Sequence, residues 1–190
     1  MKGLFVVSEG MDAAGKTTSI REAIKNFKDS GLEVLYNKGL KSDGFAGKIS
    51  KFFPSTLTLL VELLFEDLFF IRPNLRKGNI IIQDRWHYTV LSHNPENWAD
   101  RILKRIFIPI LSKSDILIYF TVDIKERIKR LEKNKGHEDL LRNPTIIEER
   151  ENRLLELYNN FKGRKKIIDT TDYKEEQTGY KLYRMISSHF

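Results

Sequence analysis

The chain reads Gly10-Met11-Asp12-Ala13-Ala14-Gly15-Lys16-Thr17-Thr18 directly after its first apolar run. This stretch, the phosphate loop, matches the pattern G-x-x-x-x-G-K-[ST] at every required position, between a predicted strand and a predicted helix. Glycines let the backbone wrap closely, so that its amides and the start of the helix point at phosphate oxygens. In this pattern Lys16 reaches the outer phosphates and the hydroxyl of Thr17 binds Mg²⁺. The stretch therefore predicts a nucleoside triphosphate site.

Short β-branched or aromatic runs alternate along the chain with longer segments whose apolar residues lie three and four apart. The short runs predict five strands, at residues 4–8, 33–36, 79–83, 116–121 and 166–168. The longer segments predict six helices, at residues 16–30, 56–76, 98–112, 124–132, 146–161 and 175–188. Several strands are apolar throughout, which is typical of a parallel sheet covered on both faces. We therefore expect a three-layer α/β/α fold with a five-stranded parallel sheet.

Length and composition exclude several classes of protein. The chain has 190 residues, a net charge of +7 and no cysteine. The absence of cysteine excludes a disulfide framework, a thiolate metal site and a cysteine nucleophile. The length predicts one domain, and no stretch approaches the roughly 20 apolar residues of a membrane span or resembles a signal peptide, so we expect a cytoplasmic protein. The basic balance favours an anionic partner, either nucleic acid or a phosphorylated metabolite.

A second candidate element follows the third predicted strand, where Asp84 and Arg85 stand at a carboxyl end that opens into the binding crevice of such folds. The aspartate can hold hydrated Mg²⁺ or orient an attacking hydroxyl, and the arginine can bind a second phosphate through two hydrogen bonds. A surface ion pair is the alternative, but the phosphate loop favours a site. Because the chain also lacks an N-K-x-D motif, we expect a phosphorylated acceptor rather than a guanine-nucleotide switch.

Three segments together resemble the thymidylate kinases, within the P-loop nucleoside monophosphate kinases. They are residues 8–18, residues 83–89 with the sequence Q-D-R-W-H-Y-T, and residues 114–130, and the resemblance covers essentially the whole chain in order. It implies a P-loop NTPase fold of nucleotide kinase type that transfers the γ-phosphoryl group of ATP to dTMP, giving dTDP, with Mg²⁺ as cofactor. It also implies a homodimer, with candidate interface segments at residues 57–70 and 102–111, and no nucleic-acid or membrane partner.

Carried over to this chain, the resemblance gives a role to each matching residue. ATP would be bound by Gly10, Met11, Asp12, Ala13, Ala14, Gly15, Lys16, Thr17, Thr18 and Arg130, the last of these against the adenine. The acceptor would be bound by Asp12, Lys41, Arg85 and Thr89, which stands where the family has a serine. Catalysis would rest on Lys16, Asp84, Arg85 and Arg142, and the metal on Thr17 and Asp84. For Lys41 and Arg130, a solvated surface charge is the alternative.

The resemblance further implies a mobile lid at about residues 131–144 within a single domain of residues 1–190. Family members take a catalytic cation either from the phosphate loop or from the lid. Because Ala13 and Ala14 occupy the variable loop positions, we expect the cation to come from the lid, with Arg142 as the leading candidate. Arg150 and Arg153 on the next predicted helix are competitors.

The predicted base pocket departs from the family pattern. Many thymidylate kinases carry a phenylalanine and an arginine on the helix before the D-R strand, where the alignment places leucines in this chain. Phe65, Phe69 or Phe70 could instead stack on a base and Arg72 read it, although aromatic residues at helical spacing usually belong to the core. A kinase for another deoxynucleotide or for a deoxynucleoside therefore stays open. From another class, so does a basic nucleic-acid-associated or regulatory ATP-binding protein.

Overall fold

The computed structural model describes residues 3–39, 55–93, 98–133 and 144–189. Two residues with predicted roles, Lys41 and Arg142, lie outside these ranges, as do residues 134–143 of the predicted lid.

Five strands form one sheet in which every neighbouring pair is parallel. They are β1 (Leu4–Gly10), β2 (Val34–Lys38), β3 (Ile80–Asp84), β4 (Ile116–Thr121) and β5 (Arg164–Asp169). The order across the sheet is β2-β3-β1-β4-β5, so β1 is the central strand, with β2 and β3 on one side of it and β4 and β5 on the other. The predicted five-stranded parallel sheet is confirmed.

Helices cover both faces of this sheet and complete three layers. They are α1 (Lys16–Asp29), α2 (Ser55–Glu66), α3 (Arg72–Arg76), α4 (His87–Ser92), α5 (Trp98–Phe107), α6 (Ile124–Lys133), α7 (Pro144–Asn160) and α8 (Glu175–Ser187). Gly31 and Gly78, after α1 and α3, adopt the left-handed conformation that ends a helix. In the described parts of the chain, no helix is long and apolar enough to cross a membrane.

Alternating side chains of β1 point into two separate apolar cores. Phe5 and Val7 pack with residues of α2, α4 and α7 on one face of the sheet. Val6 packs on the other face against α1 and α8, whose side chains include Phe27 and Leu182. All five of these strand and helix positions in the cores are fully buried, which explains why β1 is apolar on both faces.

One predicted helix, residues 56–76, is broken by a π-helical turn at Asp67–Ile71. Asp67 is fully buried, and its carboxylate accepts hydrogen bonds from Arg72 Nε at 2.9 Å and from the Ser112 backbone N–H at 3.1 Å. A buried carboxylate needs such partners, and a π-helical turn is a common way to accommodate them. The apolar spacing continues through the turn, so the sequence pattern predicts an unbroken helix.

Two other differences have simple causes. The helix predicted at residues 98–112 ends at Phe107 and continues only as a 3₁₀ turn at Ile108–Ile110, because Pro109 cannot supply a backbone N–H. The helix α4 has six residues, too few to show a helical period in the sequence. It follows Asp84 and Arg85 directly, so this short helix borders the candidate site.

Candidate nucleotide-binding site

The phosphate loop joins the end of β1 to the start of α1, at the carboxyl edge of the sheet. Gly10 has φ 142°, and a β-carbon there would lie 2.4 Å from the backbone oxygen of Phe120, so no larger residue fits. Gly15 and Ala13 both have positive φ, of 74° and 62°. This backbone geometry wraps the loop over the start of α1, whose positive end attracts anions.

Lys16 is folded into the loop and is almost fully buried. Its Nζ donates hydrogen bonds to the backbone oxygens of Gly10 and Met11, at 2.8 Å each. Burial, with the positive charge of Arg85 as a second cause, lowers the pKa of Lys16 to about 8. The lysine is therefore mostly a cation at neutral pH, held within the phosphate loop by these two contacts.

Thr17 and Asp84 meet across the gap between α1 and β3. The Thr17 hydroxyl donates to Asp84 Oδ2 at 3.0 Å, and the hydroxyl of Tyr36, on β2, donates to the same oxygen at 3.2 Å. Asp84 Oδ1 is buried without a hydrogen-bond partner among the described residues. Burial and the charge of Asp84 raise the pKa of Tyr36 to about 12, so this tyrosine stays protonated. Sequence reasoning missed Tyr36, because nothing in the short strand around it marks this aromatic residue as part of a site.

Arg85 connects the two candidate elements. Its guanidinium forms an ion pair with Asp12 of the phosphate loop, and both side chains are partly exposed. Arg85 has φ 69°, a left-handed conformation that costs a non-glycine residue roughly 1–2 kcal/mol. Such strain persists where surrounding contacts impose it, and it is common at functional sites.

A cleft of about 660 Å³ runs from Asp84 and Arg85 along the phosphate loop to Arg130 and Tyr173. Arg130 is held in place by Thr170, whose hydroxyl and backbone oxygen accept hydrogen bonds from it at 3.0 and 2.7 Å. The Thr170 hydroxyl also lies 3.2 Å from the backbone oxygen of Ala14, in hydrogen-bond contact. The volume suits a nucleotide-sized ligand, and Arg130 lines the end of the cleft away from Asp84.

Glu9 is a second residue that sequence reasoning did not single out. It is 2% exposed, next to Gly10 in β1. Its Oε1 accepts the backbone N–H of Trp86 at 2.8 Å and that of Thr89 at 3.3 Å, and its Oε2 accepts the Thr89 hydroxyl at 2.6 Å. Burial raises the pKa of Glu9, and these hydrogen bonds oppose the rise. The Thr89 hydroxyl, predicted to contact an acceptor, is thus bonded to Glu9.

The structure gathers most of the predicted residues in one place and leaves two undescribed. Residues 12–18, Asp84, Arg85 and Arg130 line the cleft, whereas Gly10, Met11 and Thr89 are not among its lining residues. Burial, and then the charge of Arg85, lowers the pKa of Arg150 on α7. Arg150 is partly buried and is not among the residues that line the cleft, and the roles given to Lys41, Arg142 and Arg150 stay predictions.

The aromatic residues suggested for base stacking lie elsewhere. Phe65 and Phe69 contact each other, with ring centroids 5.1 Å apart, and are 57% and 70% exposed on the outer surface. Arg72 is paired with Asp67. Glu66 does reach the strand ends, where its carboxylate accepts a hydrogen bond from Gln83 Nε2 at 3.1 Å. Phe65, Phe69 and Arg72 are not among the residues that line the cleft, and Phe70 is partly buried against the core that contains Phe5, so the described structure does not bring these side chains into the cleft.

Comparison with known proteins agrees with this arrangement. A sequence model of the thymidylate kinase family matches residues 8–178. The probable thymidylate kinase of Pyrococcus horikoshii is 28% identical over 149 residues, which is 69% of this chain and 71% of that protein. The thymidylate kinase of Bacillus velezensis is 26% identical over 155 residues, which is 73% of this chain and 72% of that protein.

A solved structure shows the same fold. The thymidylate kinase of Candida albicans matches with a TM-score of 0.72, covering 99% of this chain and 92% of that one at 20% identity. The family match takes in the phosphate loop, the Asp84–Arg85 strand end and the Arg130 helix, which are the three parts of the cleft. The chain therefore belongs to the thymidylate kinase family of phosphotransferases.

Proposed function

We propose that this protein transfers the γ-phosphoryl group of ATP to dTMP, giving dTDP and ADP. The observation that carries the proposal is the single cleft in which the phosphate loop faces the Asp84–Arg85 strand end. A kinase needs donor and acceptor phosphates held in line, and Lys16 and Arg85 both line this cleft, so that one could bind the donor phosphates and the other the acceptor phosphate. The names of the family and of its curated members support dTMP as the acceptor.

On the donor side, the phosphate loop and Lys16 would bind the ATP phosphates. Loop amides and the start of α1 provide partial positive charge, and Lys16 adds a full charge that a bound phosphate would draw from its contacts with Gly10 and Met11. Arg130, fixed by Thr170, would lie against the adenine. Placement and charge supply most of the catalysis in phosphoryl transfer, so no protein nucleophile is required.

The oxygen atoms of Thr17 and Asp84 fit a magnesium ion. Asp84 Oδ1 is a buried carboxylate oxygen without a partner in the described parts of the chain, and the Thr17 hydroxyl lies beside the same side chain. Mg²⁺ prefers oxygen ligands and is usually held by one or two protein groups together with substrate phosphates. The ion would neutralise charge between the β- and γ-phosphates.

On the acceptor side, Arg85 would bind the monophosphate and Asp12 the sugar. Their ion pair sets the two groups side by side, as one nucleotide would require. Lys41 and Thr89 stay proposed acceptor contacts, the latter with its hydroxyl already bonded to Glu9. Arg142 is the proposed catalytic cation of the lid, and Arg150 and Arg153 on α7 stay its competitors.

A panel of acceptors tests this function. The protein is incubated with ATP and Mg²⁺ and with each of the deoxynucleoside monophosphates or deoxynucleosides, and ADP is followed. We expect ADP formation with dTMP well above the rate without acceptor. A preference for a deoxynucleoside or for another monophosphate would keep the kinase and replace the acceptor, an outcome left open because leucines stand where the family reads thymine. Equal rates with and without every acceptor would contradict the proposal.

The pKa of Lys16 predicts how ATP use depends on pH. Burial disfavours the charged form, so the free protein loses this proton as the pH rises past about 8, well below the ordinary lysine value of 10.5. We expect kcat/KM for ATP to fall about tenfold per pH unit above that point, because only the charged lysine binds phosphate well. The exposed Lys25→Met variant, on the same helix, should show the same profile as the wild type. A profile that stays flat to pH 9.5 would contradict this account.

We further propose that two copies associate through an apolar surface patch on α2, the π-helical turn and α5. Its exposed side chains are Phe65, Leu68, Phe69, Ile102, Ile106 and Ile110. Soluble monomers rarely expose so many neighbouring apolar side chains, and most homodimers use one self-complementary surface of this kind. Dimers of the family occur through helices flanking the core, as the sequence resemblance implies.

Phe69→Glu tests this patch. The substitution places two like charges in a symmetric interface, so we expect a monomer where the wild type is a dimer, measured by light scattering coupled to size exclusion. Tyr180→Glu is the matched control, because Tyr180 is 52% exposed on α8 at the opposite face of the sheet. A monomeric wild-type protein, or a dimer that survives Phe69→Glu, would exclude this interface.

A further inference from the structure

Glu9 lies between the donor and acceptor sides of the cleft and is used by neither in the mechanism above. It is a fully enclosed carboxylate in the central strand, and such a charge is costly to bury unless hydrogen bonds hold it. Both of its oxygens are engaged by the segment that follows Arg85: one accepts the N–H of Trp86, and the other accepts the Thr89 hydroxyl. Both carboxylate oxygens are therefore bonded to residues 86–89, at the start of α4.

The contact between Glu9 and Trp86 acts on the residue that precedes Trp86, which is Arg85. Arg85 is left-handed, with φ 69°, and is the turn between β3 and α4. On its amino-terminal side, its own N–H donates to the backbone oxygen of Ser8 at 3.0 Å. On its carboxyl-terminal side, the next N–H, that of Trp86, donates to Glu9 at 2.8 Å. Two consecutive residues of β1 therefore hold both peptide groups of Arg85.

The same strand end also holds the donor side. The residue after Glu9 is Gly10, whose backbone oxygen accepts a hydrogen bond from Lys16 Nζ. A shift of the Glu9 side chain would thus move the Arg85 turn relative to a loop that stays anchored by the strand. Displacement of a binding group by about 1 Å is enough to cost a phosphoryl-transfer site much of its rate.

We propose that Glu9 is a positioning residue that fixes the strained Arg85 turn, and so sets where the acceptor phosphate is bound relative to the phosphate loop. This inference rests on the proposed role of Arg85 as the acceptor-phosphate ligand. The inference also gives Thr89 a positioning role, because its hydroxyl and its N–H both donate hydrogen bonds to Glu9.

Two variants of Glu9 distinguish the effect of side-chain length from the effect of charge. Glutamine has the same length, and its carbonyl oxygen can accept the N–H groups of Trp86 and Thr89 while its amide donates to the Thr89 hydroxyl. Aspartate keeps the charge but is one methylene shorter, so it cannot hold the turn. We expect Glu9→Asp to raise KM for the monophosphate about tenfold or more, and Glu9→Gln about threefold, with KM for ATP changed by less than about twofold in both.

The control is Ser92→Ala, which removes a hydrogen bond of 2.7 Å inside α4 without touching the Arg85 turn. It should leave both KM values within about twofold, and thermal unfolding of all variants shows that each is folded. If Glu9→Asp does not fold, the pattern of the near-isosteric Glu9→Gln, acceptor KM raised and ATP KM unchanged, decides the question. Equal rises in the two KM values, or a larger effect of Gln than of Asp, would overturn the proposal.

A double-mutant cycle with Arg85→Ala separates this inference from the function on which it rests. If Glu9 acts through Arg85, adding Glu9→Asp to Arg85→Ala should change acceptor KM by less than about twofold. A full multiplicative effect in the Arg85→Ala background would refute the positioning role and keep the role of Arg85. No effect of Arg85→Ala by itself would instead refute the acceptor-phosphate role.

Discussion

Replacing Lys16 by alanine should lower kcat/KM for ATP by about 10³-fold, or about 4 kcal/mol of transition-state stabilisation. The side chain is buried in the phosphate loop and carries the full positive charge closest to the loop backbone. Its removal leaves the loop amides and the start of α1 to bind phosphate alone, and charge that develops during transfer loses its strongest partner. Turnover is measured by ADP release with saturating monophosphate.

Lys25→Ala is the control for this variant, since Lys25 is an exposed lysine on the same helix, paired only with Glu22. It should retain activity within about twofold, as exposed ion pairs contribute little to stability. A Lys16→Ala protein that is folded by circular dichroism and turns over at more than about a tenth of the wild-type rate would show that the donor phosphates bind elsewhere.

The Arg85→Ala variant should weaken the use of monophosphate by about 10²-fold while ATP binding stays measurable. Arginine can grip a phosphate through two parallel hydrogen bonds, and alanine leaves no cation in its place. The loss should fall on KM for the acceptor and on kcat/KM for the acceptor, because the phosphate loop does not need Arg85 for its backbone contacts. ATP affinity is measured separately by calorimetry.

Two companion variants sharpen this result. Arg85→Lys keeps the charge without the planar fork, so it should recover part of the loss but not all of it. Arg184→Ala removes an exposed arginine on α8, at the opposite face of the sheet, and should leave acceptor kinetics unchanged. Acceptor kinetics that do not change in Arg85→Ala would remove this residue from the acceptor site, whatever the effect on ATP.

The sheet and the phosphate loop could be predicted from sequence because local signals determine them. The strands are short apolar runs between turn residues, and residues 80–82 are buried, as their continuous apolar pattern indicates. Gly10, with its positive φ and the nearby Phe120 oxygen, illustrates why the loop pattern is so specific, since only glycine fits there. The apolar runs and the phosphate-loop pattern are each visible within a window of about ten residues.

The contacts that complete the site could not be predicted, because they join residues far apart in the chain. Tyr36 reaches Asp84 from another strand, Thr170 reaches Ala14 from the far end of the chain, and Glu9 reaches Thr89. No spacing rule links such pairs. Glu9 did carry one signal, a charged residue at the end of an otherwise apolar central strand, which indicates a buried group that needs partners.

For the base pocket, by contrast, a local pattern of the sequence suggested a stacking contact that the described structure does not bring into the cleft. Phe65 and Phe69 lie four apart on the predicted helix, a spacing that fits a stacking pair, a core face or an outer surface equally well. In the structure both aromatic side chains are exposed, and Arg72 is paired with Asp67 at the π-helical turn. The direction in which a helix face points depends on tertiary packing, which the spacing does not contain.

Tracing the γ-phosphoryl group itself tests the central claim most directly. The protein is mixed with ATP labelled at the γ-phosphate, Mg²⁺ and dTMP, and the labelled products are separated by chromatography. We predict label in dTDP, appearing in step with ADP and absent when dTMP is left out or when the Lys16→Ala variant is used. Label released only as inorganic phosphate, at a rate that dTMP does not change, would contradict direct transfer between the two sides of the cleft.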